Sequence, residues 1–217
     1  MSVDRSVDRQ AADDRQLLDL HGRRLIDLAR ASVLHGFEFG RPFPVDHGNE
    51  PPALAEIRAT HVVLRARSGV AGIEPTRRAG GVRAWRPLLL DVAGNAFAAT
   101  FADRRHAPLK PAERFDLAVT IVLLGHLQPI ALDGLAGDGL VGDGLVGDRL
   151  AALAPGDGAL LEWEGGSQAL FPEAWTFAIT AGSFLAEALR RARAQGLEPG
   201  VTPRAYRFSV SSVSDGE

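Results

Sequence analysis

Cysteine is absent from all 217 residues of the chain. That removes disulfides, zinc–thiolate sites, iron–sulfur clusters and thiol nucleophiles together. Lysine is nearly absent as well: of 24 basic residues only Lys110 is a lysine, and the rest are arginine. Alongside abundant alanine, glycine and proline, this bias points to a GC-rich coding sequence rather than to phosphate binding. Long apolar runs are also missing, and none approaches the roughly 18–20 residues that a membrane span requires. Met1 to Arg15 is full of Asp and Arg and lacks the apolar centre of a secretory signal. Cytoplasm is the expected location. Net charge is -3, so no global field favours nucleic acid.

What is present is ordinary globular material, 46% hydrophobic and 24% charged. That suits one large domain or two closely joined small ones. Residues 1–12 form a polar, near-repetitive leader expected to be disordered, followed by a single domain over 13–213. A helix is expected from Asp13 or Asp14, with Leu18, Leu25, Leu28, Ala29 and Val33 on its inner face and an end near Gly36. His61 to Ala66 reads as a strand, and the Gly- and Arg-rich stretch from Ser68 to Arg86 as loop. Pro87 suits the first position of an Ala-rich helix ending near Phe101. Alternation from Phe115 to Leu123 predicts a strand. Ala159 to Trp163 and Gln168 to Phe171, separated by Glu164 to Ser167, predict a hairpin. Ser183 can cap a helix reaching Ala194, and Tyr206, Phe208 and Val210 mark a last strand. Strands and helices do not alternate regularly, which favours an α+β fold with a mainly antiparallel sheet flanked by helices.

Residues 133–148 repeat every five positions, with Asp133, Asp138, Asp143 and Asp148 evenly spaced. The period spells G-x-G-x-x-G at Gly137, Gly139 and Gly142, and again at Gly142, Gly144 and Gly147. A dinucleotide site needs a full helix after that pattern, and here a short Leu-Ala stretch runs into Pro155. The spacing fits neither an EF-hand loop nor a nine-residue calcium repeat. The stretch reads as an inserted surface loop. The histidines show no metal-ligand spacing, and Ser167 lacks the G-x-S-x-G context of a nucleophile elbow, so no metal and no cofactor are expected. One stretch concentrates chemistry: Asp103-Arg104-Arg105-His106 at a helix exit, held by Pro108. It can present a carboxylate and a guanidinium together, and equally it can be a local ion pair that pins the loop.

Arg86-Pro87-Leu88, Asp91-Val92, Asn95-Ala96, Ala98-Ala99 and Asp103-x-Arg105 resemble the AMMECR family pattern R-P-L-x-x-D-V, N-A, A-A, D-P-R-F. Downstream, Leu153-Ala154-Pro155-Gly156-Asp157-Gly158, Ala169-Leu170-Phe171-Pro172 with Trp175, and Tyr206-Arg207-Phe208 resemble the family's later stretches in order. Prokaryotic members are called AmmeMemoRadiSam system protein A. The family's Leu-Arg-Gly-Cys-Ile-Gly hexapeptide is not kept: anchored on Ile73, its cysteine position falls on Gly72. Arg104 and His106 also depart from the D-P-R-F pattern. The chain is therefore similar to a divergent member without the family cysteine.

The resemblance implies an α+β AMMECR-like fold and no settled activity. It suggests a non-catalytic or substrate-handling component acting with a Memo-like protein and a radical-SAM enzyme. A ligand-binding cleft is expected near Gly72, Ile73, Asn95, Asp103 and Arg105. Two alternatives are carried: an enzyme acting on a small anionic substrate with Asp103 and Arg105 as its catalytic residues, and a nucleic-acid-associated regulator using the loop at Arg77 to Arg86. The charge balance opposes the second.

Overall fold

In a computed structural model of the chain, residues 4–46, 48–67, 76–103, 109–130, 132, 153–176, 178 and 180–215 are described. The repeat at 133–148, Gly72, Ile73 and Arg105 lie outside them. The expected domain contains two compact units, residues 1–125 with 211–217, and residues 126–210. The fold is α+β, and its strands form two four-stranded sheets rather than one.

The first unit opens with helix α1, Asp4–Phe39. The helix starts ahead of Asp13, within the polar leader segment. Its first turns carry Asp and Arg without apolar periodicity, so the pattern there gave no helical signal. Leu17, Leu18, Leu25, Ile26, Ala29 and Val33 are buried. A short helix α2, Pro52–Ala55, precedes strand β1, Ala59–Ala66. Strand β2, Arg77–Gly80, lies within the stretch read as loop. Two arginines, an alanine and a glycine hide a strand because β2 is an edge, paired only with β1, and needs little apolar content. Arg77 is nonetheless buried. Helix α3, Leu88–Phe101, starts one residue after Pro87 and packs on α1, β1 and β2. Ala93, Ala96 and Ala99 are buried, and their small side chains permit that close approach.

A single 3-10 turn, Glu113–Phe115, leads into strand β3, Leu117–Leu124. Phe115 was expected to begin the strand, yet it sits in this turn and is 72% exposed. β1 and β3 pair antiparallel, with Val62 opposite Ile121 and Leu64 opposite Val119. The last strand of the chain, β8 (Val210–Ser214), completes the sheet in the order β2-β1-β3-β8. Just past it, Asp215 accepts a hydrogen bond from the Val119 amide at 2.8 Å and pairs with Arg30 and Arg67. That carboxylate fastens the chain end to α1 and to the sheet.

The second unit holds strands β4 (Gln128–Ile130), β5 (Gly158–Trp163), β6 (Gly166–Leu170) and β7 (Arg204–Phe208). They pair antiparallel in the order β4-β7-β5-β6. The predicted hairpin is present with a tighter turn: Trp163 pairs with Gly166, and Ser167 lies in β6 opposite Glu162. Helix α4, Ala181–Ala194, is capped by Thr180 rather than by Ser183. Ser183 returns a hydrogen bond from the third helical position, which makes a capping box. Phe184, Leu185, Ala188, Leu189 and Ala192 turn inward to build this unit's core.

Candidate functional site

Asp91 and Asn95 stand four residues apart on α3, one turn, so they share a face. That face meets β1 at Thr60, which is fully buried. Asp91 Oδ2 accepts from the Thr60 amide at 2.8 Å, from the Thr60 hydroxyl at 2.6 Å and from Asn95 Nδ2 at 2.9 Å. Asn95 Nδ2 also lies 3.0 Å from both Thr60 O and Thr60 Oγ1. From outside, Arg86 donates through Nε to Asp91 Oδ1 at 2.6 Å and through Nη2 to Asn95 Oδ1 at 3.0 Å. A donor on that side requires the amide oxygen of Asn95 to face Arg86, so the amide orientation follows from the network.

Two further features hold the guanidinium in place. Its Cζ lies 4.6 Å from the centroid of the Trp85 ring. It also crosses α3 over Gly94, where a Cβ would fall 2.6 Å from Nη1. Glycine at 94 is therefore what lets Arg86 lie flat on the helix. Among the described residues Nη1 takes no hydrogen bond, while Nε and Nη2 are both engaged. Chemically, Asp91 is a carboxylate whose oxygens are already occupied. It cannot exchange a proton with a substrate without opening the α3–β1 contact. The set holds one guanidinium rigidly and offers one edge of it.

Of the residues expected to line a cleft, Asn95 is 7% exposed and belongs to this network. Asp103 is half-buried and lies past the end of α3, where it accepts a hydrogen bond from the Arg78 amide at the start of β2 at 3.1 Å. The two therefore act on different strands, Asn95 on β1 and Asp103 on β2. Gly72, Ile73 and Arg105 fall outside the described residues. Thr60 was not among the expected site residues, and Arg86 was named only in the nucleic-acid alternative. Arg86 is visible in the family pattern, but Thr60 lies 31 residues from Asp91 in the chain and no local spacing marks it.

In the second unit the matching motif residues also build structure. Gly156 adopts φ 102, a left-handed turn conformation that favours glycine. Asp157 Oδ2 then accepts from the Ala154 amide at 3.0 Å, and the Asp157 carbonyl accepts from Trp175 Nε1 at 2.8 Å. The Trp175 ring stacks on Phe184 with centroids 4.4 Å apart. Burial pushes the Asp157 carboxyl above its ordinary range, against the Ala154 hydrogen bond and the Arg207 charge, which pull it down. A raised folded-state value means that the native state binds the extra proton, so stability falls as pH rises through this interval. Asp157→Asn keeps an acceptor for Ala154 and removes the titration. The stability of the variant relative to the parent should therefore rise as pH climbs through and above the ordinary carboxylate range. Parallel thermal melts check this, and a difference that is flat or falls with pH would contradict it.

A groove of about 490 Å³ lies along α4, lined by Ala174, Ala178, Ser183, Glu187 and Arg190 among others. Glu187 accepts from Arg190 at 2.6 and 2.7 Å and from Arg191 at 2.7 Å. Those hydrogen bonds lower its pKa to about 2. With this carboxylate already gripping both guanidinium groups, the groove is a poor anion site. Among the described residues, no three His, Asp or Glu side chains are grouped to hold a metal ion. No helix among them is long and apolar enough to cross a membrane.

The AMMECR1 family model matches residues 26–213, which spans both units and every motif just described. The chain belongs to the AMMECR1 family. No curated protein matches it. A solved structure of an uncharacterised protein from Pyrococcus horikoshii is similar over 88% of this chain and 90% of that one. The two share 21% sequence identity at a TM-score of 0.71, which is a likeness of fold. Within this AMMECR1 domain, Arg86, Asp91 and Asn95 of the first unit join Thr60 in locking α3 onto β1.

Proposed function

We propose that this AMMECR1 protein is a non-catalytic component that handles a small anionic ligand in the cytoplasm, working with a Memo-like protein and a radical-SAM enzyme. The observation that carries the reading is the saturation of Asp91, Asn95 and Thr60 by one another. Groups so engaged do not perform acid–base chemistry, which needs a free carboxyl within reach of a substrate proton. They instead hold Arg86 in one place with Nη1 unengaged, and a fixed guanidinium edge is suited to a carboxylate or phosphate. Glycine at the family's cysteine position agrees with a role that needs no thiol.

The test is reconstitution. The chain is mixed with the purified Memo-like and radical-SAM proteins of the same genome and analysed by size-exclusion chromatography with light scattering. A stoichiometric complex is expected. Failure to associate with either protein, together with turnover of a small anionic substrate that Asp103→Asn abolishes, would replace this reading with the enzymatic one.

A further inference from the structure

Aromatic side chains collect at the end of α1. The Phe37 ring meets Phe101 at 5.0 Å between centroids, and Phe101 meets Phe97 at 4.9 Å. Gly36 makes room for them, since a Cβ there would fall 2.3 Å from the Phe101 ring. Arg114 continues the cluster, with its guanidinium 5.6 Å from the centroid of Phe37 and 4.6 Å from that of Phe115. Phe115 is 72% exposed and Phe101 41%. Two such exposed rings, backed by the half-buried Phe37 and Phe97, make an apolar patch of the kind that marks an interaction surface.

Arg114 gives the patch a chemical preference. Its Nε is buried without a hydrogen-bond partner, and among the described residues the side chain makes no hydrogen bond or ion pair at all. The adjacent carboxylate does not serve it, because Glu113 accepts from the Lys110 amide at 2.7 Å. Stacking on rings stabilises a guanidinium but satisfies none of its in-plane N–H groups. A docked carboxylate in that plane would engage the Nη groups, which unlike Nε are not buried.

We propose that this face docks a segment of a partner protein that presents apolar side chains beside a carboxylate. Rings as exposed as Phe115 stand out from the surface instead of lining a concave pocket, which suits a protein segment better than a small molecule. Aromatic and arginine side chains together are also the usual anchors of protein interfaces. A second copy of this chain is disfavoured, because a two-fold contact centred on this patch would set two Arg114 guanidinium groups close together. The inference does not depend on the partnership proposed above.

The test uses two labelled peptides with the same Leu and Phe residues, one carrying Glu and the other Lys at the intervening positions, read by fluorescence anisotropy on the full chain. The acidic peptide should bind at least about tenfold more tightly than the basic one. Arg114→Gln should remove that preference, Arg114→Glu should reverse it, and Phe115→Ser should weaken binding of the acidic peptide. Arg190→Gln, in the other unit, should change nothing. Circular dichroism verifies folding; if the Arg114 variants do not fold, the exposed Phe115→Ser carries the comparison with the peptide pair. Equal binding of both peptides, no binding of either up to about 1 mM, or binding indifferent to Phe115→Ser overturns the proposal. So does a dimer in sedimentation velocity that Phe115→Ser dissolves, which would make a second copy the occupant.

Discussion

Replacing Asp91 with alanine should destabilise the first unit by about 3–5 kcal/mol, the range for leaving one member of a buried charged pair unanswered. The loss has identifiable parts. The Thr60 amide and hydroxyl, both buried, lose their acceptor, and each unsatisfied group costs about 1–3 kcal/mol. Asn95 Nδ2 keeps Thr60 as a partner, so it contributes less. Arg86 loses the carboxylate that faces its Nε while remaining mostly covered. Asp91→Asn should fall between the parent and Asp91→Ala, because an amide can accept from Thr60 but turns an N–H toward the Arg86 Nε. Urea denaturation measures the sum, and hydrogen exchange at the β1 amides locates it. A loss below about 1 kcal/mol for Asp91→Ala, the scale of an exposed ion pair, would show that α3 is held to β1 by its apolar contacts alone.

The second large effect belongs to the other unit. Gly158 opens β5 opposite Phe208 of β7, and a Cβ at 158 would fall 2.3 Å from the Phe208 ring. That ring is 1% exposed and meets Phe171 at 5.6 Å in a T-shaped pair, so it has little room to give way. Gly158→Ala should cost about 1–3 kcal/mol by overpacking, and Gly158→Val more. The expected signs are a lowered melting temperature and altered Trp175 emission, since Trp175 is fastened to the neighbouring Asp157 carbonyl. Pairing Gly158→Ala with Phe208→Leu should recover part of the loss, a non-additivity that contacting residues show and distant ones do not. An alanine variant that melts with the parent would mean that the turn at 154–157 absorbs the clash.

Both predictions fall on residues within stretches where the chain resembles its family, and this affects how such motifs are read. Arg86, Asp91 and Asn95 look in sequence like polar residues kept for chemistry. In the fold Asp91 and Asn95 answer each other and Thr60, which is how buried polar groups are normally found. Among the described residues, Arg86 keeps Nη1 without a hydrogen bond, and Arg114, outside the motif, makes no hydrogen bond or ion pair.

The elements that periodicity alone determined were those with one face in a core. The α3 helix, the β3 strand, the β5–β6 hairpin and α4 were all legible, because burial of one face imposes a repeat of 3.6 or 2 on the residues. The α+β class followed from their order. Zero cysteine likewise settled, without any structure, which chemistries this chain cannot perform. The edges were illegible. β2 is written in Arg and Gly, and β4 contains Pro129, which an edge strand tolerates because one side of it pairs with nothing. The first turns of α1 carry no apolar stripe to read. Only the tertiary structure decided that the strands divide into two sheets, since either grouping satisfies the same local alternation. It alone brought Thr60 to Asp91 and Asn95. The i, i+4 spacing placed two polar side chains on one face of a helix, but which strand that face would meet is a long-range contact, and local sequence does not encode its partner.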